Sequence, residues 1–247
     1  SCKTKREAAD WLKAEGFNVI DDGKSKPVKK PEKGSNRAAG PKMKPVATWD
    51  YVDQNGELLF QVVRMEDGTL NKKGKKNKTY TQRRRPRDND PPELIKGDWV
   101  YKTDDLRMVP YRLPDLQRDI DAGSYIFITE GEKAADFLIE HGIAATTNAR
   151  GAGKWQPEIS PYFEGADVII LPDNDPQSAY ANGKLKFHDD GRPVFVGKDH
   201  AEMVAMNLHG VANSVRILDL PELPLWGDVV EWFKEKNGDV DTLYELT

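Results

Sequence analysis

The chain has 247 residues, 38% of them hydrophobic and 32% charged, with a formal net charge of -4. A charged share above the ~25% of an average globular domain points to much solvated surface or linker, and the length fits neither one small domain nor three full ones. No run approaches the ~18 apolar residues of a membrane-spanning helix, the opening SCKTKREAADWLK lacks the apolar stretch of a signal peptide, and a single cysteine, Cys2, excludes an intrachain disulfide.

A reducing, cytoplasmic setting with no membrane partner is therefore expected. Residues 3–16 put Ala8, Ala9, Trp11 and Leu12 on one helical stripe with Gly16 as a stop signal, which predicts a helix within 1–21. Residues 22–46 are rich in Pro, Gly and Lys and read as a flexible basic linker. From 47 onward, two apolar-rich runs flank Gln54-Asn55-Gly56, and Asn-Gly is a strong signal for a tight hairpin. A lysine-rich segment at 71–78 leads into KTYTQRRRPR, a further strand ending in Arg83, Arg84, Arg85 and Arg87. With WVYKTD and MVPYRLPDL, these runs predict a small basic β-rich nucleic-acid-binding module over 47–118.

From 119 to 247 the pattern alternates. Apolar strands are predicted over 125–129, 144–147, 167–171 and 215–220. Amphipathic helices are predicted over 133–141, 201–209 and 229–236, the first two closed by Gly142 and Gly210. The fold class is α/β, a parallel sheet with helices on both faces. Ligands of such sheets sit beyond the carboxyl ends of the strands. Charge divides along the same line. Residues 1–112 hold 26 Lys+Arg against 17 Asp+Glu, and residues 113–247 hold 11 against 24. A basic half suits a polyanion and an acidic half suits a divalent cation, although counts alone describe two solvated faces.

The predicted strand 125–129 runs into Glu130-Gly131-Glu132-Lys133, and the strand 167–171 runs into Pro172-Asp173-Asn174-Asp175. Parallel strands bring both ends to one edge, where Glu130, Asp173 and Asp175 repel one another unless a cation or protons intervene. Mg²⁺ suits such a place, because it takes one or two carboxylates together with waters and substrate phosphates. Asp-x-Asp alone is common in turns; its pairing with Glu-Gly after a second strand is more specific. GAGK at 151–154 is no P-loop, since Asn148 and Trp155 stand where that pattern needs Gly and Ser or Thr. Gly151 and Gly153 would let Lys154 approach a phosphate, with a plain loop as the alternative. Lys133 is either solvated or a phosphate contact. His200 reads as a capping or surface residue, Met203 and Met206 as core, and Trp226 and Trp232 as packing residues, with base stacking the alternative. The four arginines are a solvated loop or, beside a polymerase-like site, template contacts.

TEGEKAAD followed by ILPDND resembles the TOPRIM domain, a fold shared by bacterial-type primases, topoisomerases and some nucleases. NARGAGKW, GKDHAEMVAMNL, LPELPLWGDVVEWF and the lead-in WDYVDQNGELLFQVVR resemble the primase-like proteins of phages and mobile elements. The resemblance implies a DNA primase-like nucleotidyltransferase that acts on a single-stranded DNA template with NTPs in phage or mobile-element DNA replication. It implies a TOPRIM catalytic domain over 119–247 in which Glu130 is the acid/base residue; Lys133 and Lys154, read from the sequence as phosphate contacts, are set beside it as catalytic candidates. Asp173 and Asp175 become metal ligands for Mg²⁺ or Mn²⁺, joined by Glu130 and by Asp228 as an auxiliary acid. A replicative helicase is a further candidate partner. Two features depart from the family. Residues 176–197, which include a predicted hairpin in KLKFHDDGRPVFV, form an insertion, and no counterpart of the usual N-terminal zinc-binding domain is expected with Cys2 as the only cysteine. The competing expectations are a non-catalytic DNA-binding accessory module and a TOPRIM nuclease.

Overall fold

Strands dominate the first part of the chain because β-branched and aromatic residues alternate with polar ones there. The computed structural model describes residues 42–70, 74–236 and 238–247. The predicted N-terminal helix and the linker up to residue 41 lie outside the described residues. Strands β1 (Lys44–Val52), β2 (Leu58–Leu70) and β3 (Lys76–Arg83) form an antiparallel sheet in the order β1-β2-β3. β1 thus begins inside the stretch read as linker. Gly56, at φ 85°, makes the turn between the first two strands, as Asn-Gly predicts. Opposed pairs Trp49–Val62, Val62–Gln82 and Arg64–Tyr80 fix the register, so Trp49, Val62, Arg64, Lys78, Tyr80 and Gln82 share one face. A two-stranded ribbon, β4 (Ile95–Lys96) and β5 (Trp99–Val100), follows.

The second part holds a four-stranded parallel sheet in the order β7-β6-β8-β9. Its strands are β6 (Tyr125–Ile128), β7 (Ala145–Thr146), β8 (Asp167–Ile170) and β9 (Ser214–Ile217). Ile126, Phe127 and Ile128 are all buried, as are Val168, Ile169 and Ile170, so both faces of the sheet are covered. Helices α1 (Leu113–Asp121), α2 (Glu132–Glu140) and α3 (Val196–Leu208) pack on it, and α4 (Val229–Glu235) packs on α2. A short α5 (Val240–Glu245) follows. Gly142 and Gly210 end α2 and α3 at φ 78°, as expected.

α1 and α5 were not among the predicted elements, and α3 starts earlier than the predicted 201. The expected module boundary at 118 falls inside α1. Tyr51, Phe60 and Val62 of the antiparallel sheet belong to the same hydrophobic cluster as Ile126, Phe127 and Ile169 of the parallel one. Two side-chain bonds tie the antiparallel sheet to α2, and a third ties the segment before α1 to it. Tyr51 Oη donates to Glu132 Oε1 (2.9 Å), Trp49 Nε1 to Asp136 Oδ2 (2.8 Å), and Tyr111 Oη to Asp136 Oδ1 (2.8 Å). Residues 176–195 of the insertion fold into two short turns, with isolated bridges Ala179–Leu185 and Phe187–Pro193 around Gly183 and Gly191. His188 Nε2 joins it to Asp199 of α3 at 3.1 Å. Among the described residues, no helix is long and apolar enough to cross a membrane.

Candidate active site

Parallel register places the acids. Ile128 of β6 pairs with Ile170 of β8, so Glu130 and Asp173 leave the sheet at the same edge just beyond those residues. Asp175 follows on the same loop. Asp228 reaches the edge as the N-cap of α4, where Oδ1 accepts from the Val230 N–H (2.7 Å) and Glu231 returns a capping-box bond. One oxygen of Asp228 therefore already serves the helix.

These four acids line one cleft of about 1000 Å³, and the aromatic and basic face of the β1–β3 sheet forms the wall opposite. That wall contributes Trp49, Arg64, Lys78, Tyr80 and Gln82; Lys133 and Arg150 project from the parallel-sheet side. Burial raises the carboxyl of Glu130 well above the usual range, and the charges of Asp175 and Asp228 add to the effect. Asp173 rises for the same reason, with Glu130 and Asp228 as its main repelling neighbours. Asp175 and Asp228 also rise, first through burial. Glu130 Oε1 is buried without a hydrogen-bond partner. Opposite, Lys78 is pushed down by desolvation and by the charges of Arg64 and Lys133. Two groups of like charge thus face each other across a polar gap. Among the described residues, no group of three or more His, Cys, Asp or Glu is arranged to hold a metal ion.

No family model and no curated protein matches the chain. Among solved structures, the crystal structure of the Aquifex aeolicus primase (zinc-binding and RNA polymerase domains) is similar to it, with a TM-score of 0.48 and 15% identity. The likeness covers 81% of this chain and 38% of that one. It is a partial likeness of fold and assigns no residue a role.

The sequence-predicted residues divide. Glu130, Lys133, Asp173, Asp175 and Asp228 all line the cleft; Lys154 does not, and lies exposed. The basic residue that the same loop delivers is Arg150, held at φ 78°, with its guanidinium reaching Gln82 Oε1 at 3.4 Å. None of the four arginines lines the cleft. Arg84 is 3% exposed and grips Asp90 through two bonds of 2.6 and 2.7 Å, so it is a structural ion pair and not a template contact. Arg83 and Arg85 lie over the Trp99 ring, 4.0 and 4.2 Å from its centroid, and Arg87 pairs with Asp105.

His200 is a second correction. It is 3% exposed rather than on the surface, and its Nδ1 accepts from the Gly153 N–H at 3.0 Å. Nδ1 as acceptor leaves the proton on Nε2, and burial pushes the imidazole down to about 4. A neutral His200 thus clasps the loop that carries Arg150. Met206 is 78% exposed, while Met203 packs on the core as expected. Gly197 opens the GKDHAEMVAMNL motif, was given no role of its own, and is pressed into the site. A Cβ on it would come within 2.7 Å of Glu130 Oε1 and still closer to the Asp173 carbonyl. Only glycine lets the start of α3 approach the acids so closely.

Proposed function

We propose that the chain is a TOPRIM-related, primase-type nucleotidyltransferase that uses NTPs on a single-stranded DNA template, in the replication of a phage or mobile element. The observation that carries this reading is the cleft in which Glu130, Asp173, Asp175 and Asp228 face Arg64, Lys78, Lys133 and Arg150. The acids suit a hard divalent cation, Mg²⁺ or Mn²⁺. Their donors are all oxygen, Glu130 Oε1 lacks a partner, and Mg²⁺ needs only one or two carboxylates beside waters and phosphates. Asp173 and Asp175 would hold the ion, with Glu130 and Asp228 beside them. Bound there, the ion supplies charge neutralisation on the triphosphate and alignment of the attacking and leaving oxygens.

The chain's own residues supply positioning and proton handling. Glu130, with its proton affinity raised by burial, suits taking the proton of an attacking 3′-hydroxyl. Lys133 and Arg150 face the phosphates from the parallel-sheet side. Arg64 and Lys78 neutralise template phosphates on the opposite wall, and Tyr80, 49% exposed on that wall, offers a ring to template bases. The second reading is a DNA-binding accessory module without independent catalysis, which the basic and aromatic wall alone would serve. A primer-synthesis assay with single-stranded DNA, NTPs and either metal separates the two. Products made by the wild type and lost in Glu130→Gln support the enzyme. Template binding without products supports the module, and template shortening would indicate a nuclease.

A further inference from the structure

Trp226 sits where the backbone prefers a different residue. Residues 224–227 form a turn closed by the Gly227 N–H donating to the Pro224 carbonyl (2.9 Å), and Trp226 is its third residue at φ 68°. A positive φ at that position favours Gly or Asn, because a Cβ crowds the following carbonyl. The core does not claim the side chain either. Trp226 is 52% exposed, whereas Trp232 is 3% exposed and donates from Nε1 to the Pro221 carbonyl. Strain of this kind persists only where the surroundings enforce it, and here they do. The Trp226 N–H donates to the Asn174 carbonyl (2.8 Å), the Asn174 N–H to the Gly227 carbonyl (2.9 Å), and Asn174 Nδ2 to the Leu223 carbonyl (2.7 Å). Asn174 lies between Asp173 and Asp175. The backbone that carries Trp226 is therefore held beside those carboxylates, and Trp226 lines the same cleft.

We propose that Trp226 is a nucleobase platform, stacking on the base of the nucleoside triphosphate whose phosphates lie among Asp173, Asp175 and Lys133. The inference rests on the nucleotidyl-transfer reading above and specifies how that site holds its substrate. A template-directed enzyme must grip four different bases in one place. Hydrogen bonds to base edges would discriminate among them, whereas a π face accepts all. Lys75 Nζ lies 4.6 Å from the ring centroid. A cation–π contact of that kind is weaker than a stacked base and flanks it or gives way to it.

The test is calorimetric, on the full chain with Mg²⁺, using ATP, CTP and inorganic tripolyphosphate as ligands. Trp226→Gly should weaken ATP and CTP alike by about tenfold, the scale of one lost base stack, and leave tripolyphosphate affinity unchanged. Its melting temperature should hold or rise, because glycine fits the positive φ. Trp226→Phe should keep most of the nucleotide affinity. If Trp226→Gly binds both nucleotides as the wild type does while tripolyphosphate still binds, the platform is overturned and the phosphate site stands. A lower melting temperature with equal loss of all three ligands makes the indole structural and overturns it as well. Wild-type protein that binds none of the three overturns both the platform and the functional reading beneath it.

Discussion

The two walls of the cleft are built by different rules of chain geometry. The acid wall comes from strand ends: Glu130 and Asp173 each follow the last paired residue of a parallel strand, and the register Ile128–Ile170 brings them together. The basic wall comes from alternation: Arg64, Lys78 and Tyr80 sit at every second position along β2 and β3 and face one way. Their energetics differ too. The acids repel one another and are largely withdrawn from water, which works against the fold. On the other wall Arg64 pairs with Glu66 at 2.5 Å, and Lys76 reaches the same carboxylate at 3.2 Å. Strain is therefore concentrated where chemistry is proposed, and the wall proposed to bind the template is partly neutralised.

If the walls have separate jobs, breaking one should spare the other. The largest effect is expected for Glu130→Gln, which keeps shape and removes the proton acceptor. Nucleotidyl transfer should fall by at least about 100-fold, while affinity for single-stranded DNA stays near the wild-type value. Equal losses of both in parallel assays would merge the two walls into one function. Gly197→Ala tests the acid wall by packing rather than charge. Its Cβ would meet Glu130 and the Asp173 backbone, so a destabilisation of about 1–3 kcal/mol is expected, measurable by urea unfolding. A variant as stable and active as the wild type would show that α3 does not set the position of the acids.

On the basic wall, two double variants compete. Arg64→Ala with Lys78→Ala removes cations that line the cleft; Arg83→Ala with Arg85→Ala removes cations stacked on Trp99. The first pair should weaken single-strand binding and flatten its salt dependence by about 1.4 log units, at about 0.7 for each lost phosphate contact. The second pair should change the slope less. The reverse ranking, read from binding isotherms at several salt concentrations, would move the template off the sheet face and onto the arginine loop.

Most of the acid wall was legible in the sequence, because Glu130, Asp173 and Asp175 come just after short apolar runs that read as buried strands; Asp228, a helix N-cap, follows no such run. The basic wall was not. Arg64, Lys78 and Tyr80 lie on two strands, and only the register shows that they share a face. The contiguous run of arginines attracted attention instead, yet Arg84 is taken by Asp90, a pairing that a local reading treats as two surface charges. Arg150 stands beside GAGK, whose likeness to a phosphate loop pointed to Lys154. α1 was missed although Leu113, Leu116 and Ile120 have helical spacing, because MVPYRLPDL was assigned to the β-rich module, whereas Pro114 serves as an early-turn helix residue. The start of α3 was hidden because Val194 and Phe195 read as the end of a hairpin.

The smallest expected effect is a pH dependence of stability without metal, and it also separates the walls. Glu130, Asp173, Asp175 and Asp228 all have folded values above their ordinary ones. Unfolded carboxyls ionise near pH 4. Between that point and the raised folded values the folded protein binds more protons than the unfolded chain, so stability falls as pH rises, by at most about 1.4 kcal/mol per pH unit for each group. His200 acts in the opposite sense. Its folded value is lowered to about 4 by burial, so its contribution grows with pH and is complete above the ordinary histidine value of about 6.5. The two trends oppose each other below that point; above it the acids dominate until Lys78, depressed by desolvation and by Arg64 and Lys133, loses its proton and opposes them. Thermal melts in chelator from pH 5 to 9 should therefore show a decline on the alkaline side. Asp173→Asn should flatten it, and so should saturating Mg²⁺. The Arg83→Ala, Arg85→Ala variant should leave it unchanged. A wild-type melting temperature that climbs steadily across the alkaline side, or a decline that Asp173→Asn leaves intact, would mean that the carboxylates are solvated and well separated, and the acid wall would lose its claim to hold a cation.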